Sequence, residues 1–299
     1  MSASDAGMRA ENDDWFTLSE DQHDAFHRDG FLILKGFYDV ERDIEPIRRG
    51  VHSIIGFVAE QHGVDLGHRP YSSEEFDAGY MQLKAVDRRL ASVVYDAVKQ
   101  LVPFDRLVAR RRNEAVFAQL RNAEVIGCAG AGSGIRIDNP DETTYIAPFH
   151  QEYPGQFRSL DGTVFWSPLR SMTQAMGPVK IAKGSHKEGL IKVFSEDQSA
   201  MGRTGAYALR LVEEDAIIER YPLVEPLAEA GDVLVMDFLT VHGSGRNVST
   251  HPRWSMQLRY FNFAEPTGRR IDWAGSFAAG RSINDVHPGL HVGSEPANA

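Results

Sequence analysis

The fold is decided by the stretch from Gly231 to Asn247, GDVLVMDFLTVHGSGRN. A Gly-Asp turn opens it, an apolar run follows, and a Gly-rich turn closes it. Short apolar runs bounded by turn residues read as buried strands. Three neighbours share the texture: residues 163–169 (TVFWSPL), 177–186 (GPVKIAKGSH) and 254–263 (WSMQLRYFNF). From about residue 115 onward, runs rich in Val, Ile, Phe, Trp and Tyr alternate with turn clusters. That alternation predicts an antiparallel barrel or jelly roll.

The preceding part reads as helical. In LSEDQHDAFHRDG, Ser19 and Gln22 have the spacing of a capping box, and Gly30 supplies a stop. FLILKGF then reads as a short buried strand. Ile44, Ile47, Val51, Ile54, Ile55 and Val58 fall at helical spacing, with Gly63 as the stop. Ser72 or Ser73 is expected to cap a further helical stretch running to about Val102. Helices first and strands later predict helices packed outside a β core, and the tail from about Gly280 reads as irregular.

Composition sets limits. At 42% hydrophobic and 25% charged, the 299 residues can fill a large single core. A net charge of −10 argues against a nucleic-acid surface. No apolar run reaches the roughly 18 residues that span a bilayer, so no membrane partner is expected. Residues 1–15 are polar and acidic, unlike a signal or transit peptide, and are expected to form a disordered lead-in. Cys128 is the sole cysteine, which excludes an intrachain disulfide and a thiolate metal cage. It reads as a small core residue, and a reduced cytoplasmic compartment is the simple expectation.

The chemistry is concentrated in two places. In APFHQEY, His150 and Glu152 stand two residues apart, and on a strand such residues share a face. His242, fixed by a strand on one side and a Gly-rich turn on the other, is the histidine best placed to join them. The remaining histidines read as surface, packing or turn residues. Two histidines and a carboxylate form a facial triad that leaves adjacent coordination positions open, which suits Fe(II) and O2. Zinc could use the same three groups, although the helical H-E-x-x-H pattern of zinc peptidases is absent. Oxygen activation at such a site needs two further electrons, which a 2-oxo acid can supply. Its far carboxylate calls for an arginine fork, and Arg253 lies eleven residues beyond His242 at the start of a strand.

PFHQEY, FWSPL, GPVKIAKGSHKEG, GDVLVMDFLTVHGSGRN and PRWSMQLRYF, in that order, resemble the phytanoyl-CoA dioxygenase (PhyH-like) family of Fe(II)/2-oxoglutarate-dependent oxygenases. LSEDQHDAFHRDGFLILKGF resembles the family's opening helix and strand. The resemblance implies an α+β, mainly β chain: a double-stranded β-helix, the cupin-like jelly roll, with flanking N-terminal helices. It implies one oxygenase domain over residues 16–299, helical over about 16–112, with a jelly-roll core over about 115–265. It implies that His150, Glu152 and His242 bind Fe(II) and that Arg253 binds the cosubstrate 2-oxoglutarate, with Ser244, Trp166 and Lys84 at matching cosubstrate positions. Ile135 lies near another such position. Asp237 and Arg246, which flank His242, could reach the pocket, or Asp237 could orient a ligand histidine.

The family usually has Asp where this chain has Glu152. Related halogenases carry Ala or Gly there, so a carboxylate argues against halogenation. The implied activity is oxidation of an unactivated C–H bond of a small-molecule metabolite, with succinate and CO2 as co-products. Hydroxylation is the default; epimerisation, desaturation or cyclisation would begin the same way. The competing readings are a cupin-type metalloenzyme that does not use 2-oxoglutarate, a zinc hydrolase, and a non-catalytic metal- or metabolite-binding protein.

Overall fold

The structure, a computed structural model, describes residues 14–67, 69–129, 132–140, 142–196, 209–275 and 281–294. The expected lead-in lies mostly outside these residues, but Asp14 is placed, paired with Arg110 at 2.9 Å and Arg112 at 3.0 Å.

Among the described residues, six N-terminal helices form the outer layer: α1 (Glu20–Asp29), α2 (Glu45–Gln61), α3 (Tyr80–Val86), α4 (Arg88–Val98), α5 (Val102–Val108) and α6 (Arg111–Arg121). The capping box at Ser19 forms as expected, and Gly30 closes α1 at φ +80°, a conformation glycine adopts without steric cost. Ile47, Val51, Ile55 and Val58 line the buried face of α2, while Ile44 ends a π-helical turn before it. The expected helix from Ser72 to Val102 is divided. Ser72 caps only a turn, and Asp87, in extended conformation, ends α3 and caps α4 through the amide of Arg89. Helix gives way to strand after Arg121, later than the texture of the sequence placed it.

Twelve strands among the described residues follow or interleave: β1 (Phe31–Leu34), β2 (Ile126–Cys128), β3 (Gly134–Asp138), β4 (Gly162–Pro168), β5 (Val179–Ala182), β6 (Val193–Ser195), β7 (Leu209–Leu211), β8 (Leu223–Val224), β9 (Val233–Asp237), β10 (His242–Ser244), β11 (Arg253–Asn262) and β12 (His291–Ser294). Among the described residues they form three sheets. The largest is antiparallel in the order β1-β9-β4-β11-β2, with β3 also on β11. The second is antiparallel, β10-β5-β8; the third pairs β7 antiparallel and β12 parallel to β6. The tail is therefore less irregular than expected.

The four runs singled out in the sequence supply β4, β5, β9 and β11. Strands β4 and β9 are buried along their whole length because both faces are covered. Phe165, Val235, Met256 and Leu258 face the helices, whereas Val164, Trp166, Leu234 and Met236 pack in a second cluster with Val179 and Ile181 of β5. The functional side chains lie on this second, inner side. No helix among the described residues is long and apolar enough to cross a membrane.

Candidate metal and cosubstrate site

His150 and His242 are brought together by the main chain. Each donates its amide to the other's carbonyl, at 2.9 and 3.0 Å, in an isolated antiparallel bridge. Residues that exchange both bonds face each other directly. Their rings are 4.4 Å apart between centroids.

Glu152 does not continue a strand, as the two-residue spacing suggested. Its backbone is helical, at the entry of a short helix over Tyr153–Gln156. Its Oε1 nevertheless lies 3.8 Å from His150 Nε2 and 3.7 Å from His242 Nε2. The intervening Gln151 points the other way. It donates to the carbonyls of Gly189 (2.7 Å) and Leu239 (2.8 Å) and accepts from the amide of Ile191 (3.0 Å).

The donor chemistry fits a divalent metal ion. His150 Nδ1 lies 2.8 Å from the carbonyl of Pro148, and His242 Nδ1 lies 2.9 Å from that of Thr240. A carbonyl only accepts, so each Nδ1 carries the hydrogen and each Nε2 keeps its lone pair for a ligand. One atom from each of His150, Glu152 and His242 lies within 4.8 Å of the others, and this is the only such three-residue group among the described residues. Burial, and then the neighbouring His150, lowers the pKa of His242. Burial alone would raise that of Glu152, but the charge of Arg259, the nearby histidines and the hydrogen bonds from Arg259 hold it well below the usual range. A carboxylate beside neutral imidazole is the ionisation state that binds metal.

Arg253 opens β11, almost fully buried. Its Nη2 donates to Ser244 Oγ at 3.0 Å, its Nη1 to the carbonyl of Gly177, and Asp138 pairs with it at 2.8 Å. Arg136 grips the same carboxylate at 2.6 Å. Burial would raise the Asp138 pKa, but the two guanidinium groups hold it at about 2.

Arg253, Ser244 and Trp166 line the same cavity as His150, Glu152 and His242. Lys84 is not brought there: it stands half-buried on α3, away from the cavity lining. Neither Asp237 nor Arg246 lines it. Asp237, the last residue of β9, pairs with Arg121 at 2.6 Å, and Arg246 is exposed in the turn after β10. Ile135 is buried against the helices, and Cys128 is exposed at the end of edge strand β2 rather than in the core.

Sequence reading missed Arg136, Asp138 and Arg259. A signal was present. Arg253, Ser255, Gln257 and Arg259 alternate with Trp254, Met256, Leu258 and Tyr260, and Arg136 and Asp138 alternate with Ile135 and Ile137. Polar residues at period two in buried strands mark a polar inner face.

An antiparallel β core with outer helices, carrying two histidines, one carboxylate and a buried arginine around one cavity, fits a mononuclear non-haem metal protein. The chain belongs to the phytanoyl-CoA dioxygenase (PhyH) family of non-haem iron dioxygenases: the family model matches residues 26–255. The 1-deoxypentalenic acid 11-beta-hydroxylase of Streptomyces exfoliatus is 32% identical over 123 residues, 40% of this chain and 42% of that protein. The match thus spans about two fifths of that relative. Among solved structures, the non-heme alpha ketoglutarate dependent carbocyclase SnoK from nogalamycin biosynthesis aligns with a TM-score of 0.52 at 15% identity, covering 82% of this chain and 85% of SnoK. The epimerase SnoN, in complex with Fe3+, alpha ketoglutarate and nogalamycin RO, aligns with a TM-score of 0.50 at 18% identity, covering 81% of this chain and 83% of SnoN.

Proposed function

We propose that the protein is an Fe(II)- and 2-oxoglutarate-dependent oxygenase that oxidises an unactivated C–H bond of a small-molecule metabolite, by hydroxylation in the default case. The observation that carries this reading is the convergence of two imidazole lone pairs and a carboxylate in a cavity that also holds a buried arginine. The relatives named above act on small molecules by hydroxylation, carbocyclisation or epimerisation, which supports the substrate class and leaves the outcome to the substrate's placement.

Bound Fe(II), with 2-oxoglutarate and O2, supplies oxidising chemistry that no side chain possesses, and succinate and CO2 leave as co-products. The protein's own part is positional. His150, Glu152 and His242 hold the metal. Arg253, clamped by Asp138 and the Gly177 carbonyl, presents a charged donor beside the Ser244 hydroxyl for the distal carboxylate of 2-oxoglutarate. Trp166, Val164, Val179 and Met236 form an apolar wall that excludes water. The two antiparallel sheets that enclose this side support a double-stranded β-helix, and the helices that pack on the same core support one oxygenase domain from residue 16 onward.

The test is an anaerobic titration of the Fe(II)-loaded protein with 2-oxoglutarate. A weak visible charge-transfer band is expected, lost in His242→Ala and weakened in Arg253→Ala. A fully metal-loaded, folded protein that gives no band refutes cosubstrate chelation and leaves a metal-binding fold without this chemistry.

A further inference from the structure

Glu152 is held from behind. Arg259 Nε donates to its Oε2 at 2.8 Å and Nη2 to its Oε1 at 2.9 Å. The fork is itself fixed: Nη1 donates to the carbonyl of Gly132 and Nη2 to Gln257 Oε1 at 2.8 Å. Space around it is tight, since a Cβ on Gly132 would meet Gln156 Oε1 at 2.4 Å and Arg259 Cδ at 3.3 Å. Arg259 therefore leaves the carboxylate only by giving up its contacts to Gly132 and Gln257 as well.

The fork engages both oxygens of Glu152, and Oε1 is the one that also approaches both imidazole Nε2 atoms. A free glutamate, one methylene longer than aspartate, has one more torsion to fix before its carboxylate meets the histidines. We infer that Arg259 is a positioning residue that fixes Glu152 with Oε1 toward the two imidazoles, so that the Glu152–Arg259 pair does the work of a shorter carboxylate. The inference rests on the metal site proposed above.

The test uses Mn(II) alone, with free ion counted by its EPR signal, in the full chain. Arg259→Met is expected to weaken Mn(II) binding about ten- to hundred-fold, the usual cost of losing a residue that orients a ligand. Arg259→Lys, which keeps the charge without the fork, recovers only part. Glu152→Ala is expected to lose tight binding and to regain it with added formate, seated against Arg259, but not with neutral formamide. Formate is expected to do nothing in the Glu152→Ala/Arg259→Met double variant. Wild-type Mn(II) affinity in folded Arg259→Met, or formate rescue that persists without Arg259, overturns the inference. If Arg259→Met does not fold, failure of formate to rescue Glu152→Ala overturns it instead. Wild-type protein that binds no Mn(II) through His242 refutes the metal site itself, a distinguishable result.

Discussion

Gln151, between the two proposed ligands of the H-x-E segment, is expected to hold the site in register, and Gln151→Leu is the perturbation that shows it. The side chain is 3% exposed and makes three hydrogen bonds to main chain, two to the turn at Gly189 and Ile191 and one to Leu239. Leu239 lies three residues before His242, so this one amide ties the segment of two ligands to the approach of the third. Leucine fills similar volume and makes none of these bonds. Two carbonyls and one amide are left buried without their partner, at about 1 kcal/mol or more each, so the loss is about 3 kcal/mol. With an m-value of about 3 kcal/mol/M in urea, the unfolding midpoint falls by about 1 M. Urea unfolding of the metal-free protein, followed by circular dichroism, reads this directly, and Mn(II) affinity of the folded variant is expected to fall with it. A midpoint within about 0.2 M of wild type would mean that the three bonds contribute less than about 0.6 kcal/mol together, and the argument would fail.

Three further outcomes follow from the geometry. Arg253→Lys keeps the charge and loses the fork, so 2-oxoglutarate affinity of the Mn(II)-loaded protein is expected to fall about hundred-fold by calorimetry while Mn(II) affinity holds; equal 2-oxoglutarate affinity would remove Arg253 from the site. Gly177→Ala places a Cβ 2.4 Å from the carbonyl oxygen of Arg246 at φ +67°, and is expected to cost more than about 1 kcal/mol in urea unfolding and to weaken 2-oxoglutarate binding, because the Gly177 carbonyl holds Arg253; wild-type stability would refute the clash. Asp138, with a folded pKa of about 2 below its unfolded value, stabilises the fold above about pH 4 and loses that contribution as pH falls toward 2. Between pH 5 and pH 3 the stability advantage of wild type over Asp138→Asn is expected to shrink by about 1 kcal/mol, and a constant gap would show that Asp138 titrates normally.

Much of the fold was legible because burial on both faces leaves a strong mark. GTVFWSP and VLVMD have few polar residues, and they form adjacent central strands with helices on one side and the second apolar cluster on the other. The capping box at Ser19 was legible for a local reason, since its partners lie three residues apart. The division between α3 and α4 was not. Asp87 sits in a run of helix-forming residues, and its extended conformation departs from the local propensity. Cys128 misled for a related cause. Its residue type favours burial, but the last position of a three-residue edge strand faces outward.

Of the residues singled out in the sequence, the fold gathers His150, Glu152, His242, Ser244, Arg253 and Trp166 around one cavity and leaves Lys84 outside it, and the physics that arranges them was less legible. The spacing of His150 and Glu152 suits a strand pair, yet the chain turns helical at Glu152, and the carboxylate lies against the histidines with Arg259 forked on both its oxygens. A glutamate in place of aspartate therefore carries information only together with a second residue, 107 positions away in the chain. The same holds at the other end of the cavity. Arg253 alone reads as a free cation awaiting a carboxylate, whereas in the fold it already shares Asp138 with Arg136. Under the proposed function, the distal carboxylate of 2-oxoglutarate comes as an added partner beside the Ser244 hydroxyl while the Arg253–Asp138 pair stays closed, so no buried charge has to be uncovered when 2-oxoglutarate arrives or when succinate departs.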